Sequence, residues 1–109
     1  MPYLKLIQME KLSKLRVKQL WDDCRIFSAW YSSIKHGKKI VDKKTGKQIR
    51  LLDCIQRYAH ARGLLWALGY PLKKGKPGKT TPEFKELFRL AVPSIRYYYS
   101  KYRNRVRKT

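Results

Sequence analysis

The chain has 109 residues, 27 lysines and arginines against seven acids, and a formal net charge of +20. Its content of 43% hydrophobic and 13% aromatic residues is too high for a disordered basic tail and sufficient for one small folded domain over residues 1–109. A compact body with this charge repels itself, so its working state calls for an anionic partner.

Residues 1–12 mix Leu4, Leu6, Ile7 and Leu12 with Lys5, Glu10 and Lys11. Neither helical nor strand periodicity dominates, and an N-terminal arm or short helix is expected, followed by a helical body over 13–108. Ser13 is placed to cap the first main helix. Val17, Leu20, Cys24, Phe27, Tyr31 and Ile34 then recur at steps of three and four and define one apolar face, widened by Trp21 and Trp30. Gly37 suits the position just past the helix end, with Lys35 and His36 in the last turn against the negative end of the dipole.

Residues 39–50 contain a β-branched pair, Ile40-Val41, a turn ending in Gly46, and Ile49. A short β-hairpin or an ordered loop is expected there. A second helix is expected over about 51–68, with Leu52, Ile55, Ala59 and Trp66 on one face and Leu51, Tyr58 and Leu65 beside it. Gly63 interrupts it and is read as a close helix crossing, since glycine costs about 1 kcal/mol against alanine in a helix interior. Gly69 and Pro71 end it.

Residues 72–80 form a basic linker. Thr81-Pro82-Glu83 is a helix start, with Thr81 as N-cap and Pro82 at the first helical position. Phe84, Leu87, Phe88 and Ala91 give the apolar face, and Pro93 is expected to break or kink the helix. A last helix then starts near Ser94, with Ile95, Tyr98, Tyr102 and Val106 on one stripe and Arg96, Arg103 and Arg107 on another. The expected fold class is mostly α, a small bundle of three to four helices.

Three chemistries are disfavoured. Gly75-Lys76-Pro77-Gly78-Lys79-Thr80 lacks the spacing of a phosphate-binding P-loop: Lys73 stands where its first glycine is required, and no strand pattern precedes it. The acids Glu10, Asp22, Asp23, Asp42, Asp53, Glu83 and Glu86 are scattered, whereas a metal-dependent nuclease gathers carboxylates around its ion. Cys24, Cys54, His36 and His60 show no paired zinc-ligand spacing, and Cys24 lies on an apolar stripe where a buried thiol belongs. No enzymatic activity, cofactor or metal is expected.

The positive charge points to nucleic acid. Duplex DNA carries one charge per ~1.7 Å of axis, so twenty charges match roughly one helical turn per chain. Candidate contacts are Lys38, Lys39, Lys43, Lys44, Lys47 and Arg50 in the hairpin region, and Lys73, Lys74, Lys76 and Lys79 in the linker. The C-terminal helix adds Arg96, Tyr99, Arg103, Arg105, Arg107 and Lys108. Arginines fork onto phosphate oxygens and tyrosine hydroxyls add neutral contacts, while Tyr98 and Tyr102 are expected to face inward. A membrane partner would call for an amphipathic helix or lipid anchor, and no lipidation motif or apolar run near ~20 residues is present. Met1-Pro2-Tyr3-Leu4-Lys5 does not resemble a signal peptide. Neither membrane insertion nor secretion is expected.

Two segments resemble the CRISPR-associated, RecB-type nuclease family. Cys24-Arg25, then Trp30-Tyr31 and Gly37, is similar to that family's Cys-Pro-Arg, Trp-Tyr and Gly stretch. Gln56-Arg57-Tyr58-Ala59, through Gly69-Tyr70-Pro71-Leu72-Lys73-Lys74-Gly75, resembles its Gln-containing helix and Gly-Tyr-x-x-Lys-Lys-Gly turn. His60 stands where the family has tyrosine, its Glu-x-Lys strand is not identifiable, and the three C-terminal cysteines of its iron–sulfur cluster are missing. Asp42 echoes the metal-binding aspartate but lacks companions. The resemblance implies an inactivated relative, as in the basic helical coat proteins of filamentous archaeal viruses, which wrap double-stranded DNA. The expectation is a sequence-nonspecific coat subunit in a virion, or an intracellular protein on nucleic acid. It would form homo- or hetero-oligomers with other coat subunits. A helix-turn-helix regulator built from residues 81–107 and a ribosomal-type RNA-binding protein are the rivals.

Overall fold

A computed structural model of the chain describes the backbone of residues 2–72 and 81–107 and the side chains of residues 14–72 and 81–104. Three helices account for most of it: α1 (Pro2–Lys35), α2 (Leu51–Ala67) and α3 (Pro82–Arg107). No strand forms among the described residues. The mostly helical bundle expected from periodicity is therefore the fold, with three helices rather than four.

Two expected boundaries dissolve. Residues 2–12 are not an arm, because α1 begins at Pro2 and runs through Ser13 without interruption. Pro2 suits a first helical turn, and no glycine or proline follows it until Gly37. Pro93 likewise ends nothing: α3 continues across it to Arg107. An interior proline forfeits one i→i−4 hydrogen bond and strains the preceding turn, at about 3 kcal/mol. Leu87, Ala91 and Ile95, all sealed from solvent, hold the helix together on both sides of it. The turn that a helix-turn-helix over 81–107 requires at Val92-Pro93 is absent.

The helix ends follow local chemistry. Gly37 (φ +89°) and Gly69 (φ +110°) take left-handed conformations just past α1 and α2. At each, the glycine N–H and the next residue's N–H fold back onto the last turn. The bonds are Gly37 to Ile34 and Lys38 to Ser33, then Gly69 to Trp66 and Tyr70 to Leu65, all at 3.0 Å. This is the double closure of a Schellman motif. Thr81 caps α3 by accepting the Phe84 N–H on its hydroxyl at 3.2 Å. At the start of α2, the Asp53 carboxylate accepts the Arg50 N–H at 2.9 Å, half of a capping box.

The core is built from Leu20, Cys24 and Tyr31 of α1, Cys54, Tyr58, Ala59, Ala61 and Leu65 of α2, and Leu87, Ala91 and Ile95 of α3. The loop between α1 and α2 adds Ile49. α2 is the central element, packed against both neighbours. Its buried surface is accordingly wider than the expected stripe, and Leu52, expected on that stripe, is 64% exposed. Tyr98 and Tyr102 do turn inward, each packing edge-on against His60 of α2.

The hairpin expected over 39–50 does not form. One antiparallel bridge joins Val41 and Gln48, and Ile49 N–H donates to the Ile40 carbonyl at 2.8 Å. A two-stranded ribbon is marginal without an apolar face to bury, and Val41 is 54% exposed. The segment is instead an ordered loop. It is pinned by buried Ile49 and by Asp42, whose carboxylate accepts the Lys44 N–H at 2.9 Å. The same carboxylate pairs with Arg57 of α2 at 3.5 Å. These contacts, the Lys44 N–H first and Arg57 second, hold the Asp42 carboxyl below the usual carboxylate range.

Candidate nucleic-acid interface

The continuity of α3 creates a feature that the sequence reading divided in two. At 3.6 residues per turn, Lys85, Arg89, Arg96 and Arg103 fall within about 40° of one another on the helix surface. All four are exposed. They form one cationic row about 27 Å long, at 1.5 Å of rise per residue. Lys85 and Arg89 were not among the expected contacts, because a break at Pro93 would have set them on a separate helix. Carrying the period through the proline would have found them.

The acids lie elsewhere. Both acids of α3 project away from the row toward the end of α1. Glu86 accepts from Lys35 Nζ at 2.9 Å and Glu83 lies 3.0 Å from His36 Nε2. The Lys35 ammonium first, and the Tyr31 hydroxyl second, hold the Glu86 carboxyl below its ordinary range. Asp42 is engaged with Arg57, Asp53 with the α2 N-terminus, and Asp22 with Arg25 at 2.8 Å. Glu83, Glu86 and Asp42 thus join one element to another, and no described carboxylate is ion-paired with any of the four cations of the α3 row.

The remaining expected contacts divide by position. Lys38, Lys39, Lys43, Lys44, Lys47 and Arg50 are all exposed on the pinned loop. Arg96 and Arg103 point outward as expected. Tyr99 is only half-exposed, because its ring stacks on Trp66 of α2, with centroids 3.9 Å apart and planes 14° from parallel. Among the described tyrosines of α3, the one that stands out into solvent is its neighbour Tyr97, at 62% exposure. Arg105 and Arg107 lie on the described backbone of α3, but their side chains fall outside the described residues, as do Lys73, Lys74, Lys76, Lys79 and Lys108 entirely.

Among the described residues, one cation belongs to the interior. Arg62 of α2 is 8% exposed. Its guanidinium donates to the carbonyls of Tyr70 and Pro71 at 2.8 and 3.1 Å and lies 4.8 Å from the Trp21 ring. It ties the chain leaving α2 back onto α1 and α2 and adds nothing to the surface available to phosphate.

His60, at the α2–α3 contact, sits 2.7 Å from the Tyr102 hydroxyl. Burial first, then the charges of Arg16 and Lys101, push its pKa below 6.5. The folded protein therefore resists a proton that the unfolded chain accepts, and stability is lost as pH falls through about 6.5. The thermal midpoint of the wild-type chain is expected to hold constant above pH ~7.5 and to decline toward pH ~5.5. His60→Gln should flatten that decline. An equally steep profile in the variant would remove His60 as its cause.

The two free thiols are buried at the centre of the bundle. Desolvation raises Cys24 to about 12 and Cys54 to about 11, so both remain protonated and neither is an activated nucleophile. Among the described residues no three His, Cys, Asp or Glu side chains gather as a metal-binding group. No helix among them is long and apolar enough to cross a membrane. No protein family, curated protein or solved structure matches the chain.

Proposed function

We propose that this chain is a sequence-nonspecific DNA-binding structural protein, a coat or packaging subunit that neutralises the phosphate backbone of a duplex. The observation that carries the reading is the unbroken row Lys85, Arg89, Arg96 and Arg103 on the outer face of α3. The pinned lysine loop over 38–50 supplies a second cationic element. Such a surface takes up phosphates without reading bases. Phosphate contacts position a protein on a duplex but carry no sequence information. Its affinity derives from counterion release, which requires many contacts and gives steep salt dependence. A charge of +20 on 109 residues suits a subunit present at high stoichiometry along DNA. The likeness of the Cys24–Gly37 and Gln56–Gly75 segments to RecB-type nucleases, which implies an inactivated relative, agrees with a coat protein; a location in a virion or on intracellular nucleic acid belongs to the same proposal. Assembly with further coat subunits belongs to the same proposal.

The test is titration of unrelated duplexes at several salt concentrations, with electron microscopy of the saturated mixtures. The expected result is equal affinity for all duplexes, saturation near one chain per helical turn, a slope of log K against log salt near −0.9 for each phosphate contact, and regular filaments. A preference of about 1000-fold for one site would instead identify a regulator. A comparable preference for structured RNA would identify an RNA-binding protein.

A further inference from the structure

The aromatic pair between α2 and α3 has an unusual setting. Most aromatic contacts of the bundle meet at steep angles, such as Tyr58 with Phe84 at 89° and Trp21 with Tyr70 at 88°. Trp66 and Tyr99 instead lie nearly parallel with centroids 3.9 Å apart, far closer than the other stacked pairs, Tyr98 with Tyr102 at 6.2 Å and Phe84 with Phe88 at 6.4 Å, and both residues are part-buried. Arg96 precedes Tyr99 by three residues and Arg103 follows it by four, so both are its immediate neighbours on the helix surface. They stand about 4.5 Å before it and 6 Å after it along the axis. A part-open aromatic stack is thus bracketed along α3 by two exposed guanidinium groups.

A nucleotide presents a matching arrangement: a flat π-face with a phosphate on either side along the strand. Aromatic rings stack on bases irrespective of sequence, and flanking cations track the backbone. In a duplex the bases are already stacked on one another, so their faces are not offered. We propose that Trp66 and Tyr99, bracketed by Arg96 and Arg103, form a stacking site for an unpaired nucleobase, and that single-stranded nucleic acid is a second ligand class of the α3 face. This rests on α3 binding phosphate, and base stacking is the added claim.

The full chain is to be titrated with an oligothymidylate of about ten nucleotides and, separately, with a duplex of similar length, at one salt concentration. Tyr99→Leu is expected to lower affinity for the oligothymidylate by roughly 5- to 100-fold while changing duplex affinity by less than about twofold; Tyr99→Phe, which keeps the ring, should leave both within about threefold of wild type. Trp66→Leu repeats the test from α2, with thermal melts reporting whether each variant folds. Irradiation of wild-type complexes with a 5-iodouracil-substituted oligothymidylate should cross-link the peptide containing Trp66 or Tyr99. Equal losses on both ligands would assign the pair a purely structural role. Unchanged oligothymidylate binding, or cross-links that avoid both residues, would also overturn the stacking site while leaving duplex binding intact. A wild-type chain that bound neither ligand would overturn the phosphate-binding reading and the stacking site together.

Discussion

Replacing Arg89, Arg96 and Arg103 together with glutamine is expected to weaken duplex binding on the order of 100-fold at ~0.1 M salt and to reduce the salt slope by about 2.7, or 0.9 for each phosphate contact removed. The three positions are exposed and pair with no described carboxylate, so glutamine leaves no internal partner stranded. Folding should be nearly unaffected, and relieving a strongly cationic body of three charges can even stabilise it. The matched control replaces Lys14, Lys18 and Arg25, which lie exposed along α1 and lose the same formal charge. Arg25 pairs there with Asp22, a solvent-exposed contact worth about 0–1 kcal/mol. If the α3 row is the interface, the control retains most of its affinity and slope. If binding follows net charge alone, both variants fall together and the assignment to α3 is lost. Filter binding or fluorescence anisotropy across a salt series separates the two outcomes.

That comparison bears on how the charge works. Net charge alone attracts any polyanion from any side, as a long-range field that salt screens. A row of cations on a rigid helix adds geometry, because it offers phosphates several contacts at once. The structure keeps the row free by turning Glu83 and Glu86 toward Lys35 and His36, where they join α3 to the end of α1. The same residues thus join α3 to α1, and neither is ion-paired with a cation of the row.

How much of this was legible in the sequence depends on how local each signal is. The ends of α1 and α2 were readable because Gly37 and Gly69 satisfy a backbone requirement set by the adjoining turn alone. Thr81-Pro82 at the start of α3 was readable for the same reason. The core face of α1 followed from simple periodicity. What failed was arbitration between local and tertiary terms. Ser13 is a good cap residue, yet nothing stops the helix in front of it. Pro93 is a helix breaker, yet Leu87, Ala91 and Ile95 bury too much surface on the same face for the helix to separate there. The interface shared that fate. Arg96 and Arg103 were visible, but Lys85 and Arg89 joined them only once Pro93 was spanned. The stacking of Tyr99 on Trp66 depends on how α2 crosses α3, which no local pattern encodes. The one sequence signal for that crossing was Gly63.

Substitution at Gly63 is accordingly expected to have the largest effect on stability. In an ordinary helix interior, glycine to alanine gains about 1 kcal/mol. Here a Cβ would meet Tyr98 Cβ at 2.6 Å, the Ile95 carbonyl oxygen at 2.9 Å and the Tyr99 nitrogen at 3.2 Å. None of these is the far end of a flexible side chain, so relief requires α2 and α3 to move apart. Overpacking of this kind costs typically 1–3 kcal/mol or more, and Gly63→Ala should therefore destabilise despite its better helix propensity. For a domain of this size, each 1 kcal/mol lowers the thermal midpoint by roughly 4–8 °C. Gly63→Leu, with three further carbons at the same contact, should exceed what a domain of about 5–15 kcal/mol total stability tolerates with ease. The helices meeting at Gly63 also carry the Trp66–Tyr99 stack and the His60–Tyr102 hydrogen bond, so near-ultraviolet circular dichroism should weaken in Gly63→Ala before far-ultraviolet helicity does. A rise in the thermal midpoint of Gly63→Ala would show that the two helices do not approach this closely. The cationic row on α3 would then lose the packing that fixes its orientation on the bundle.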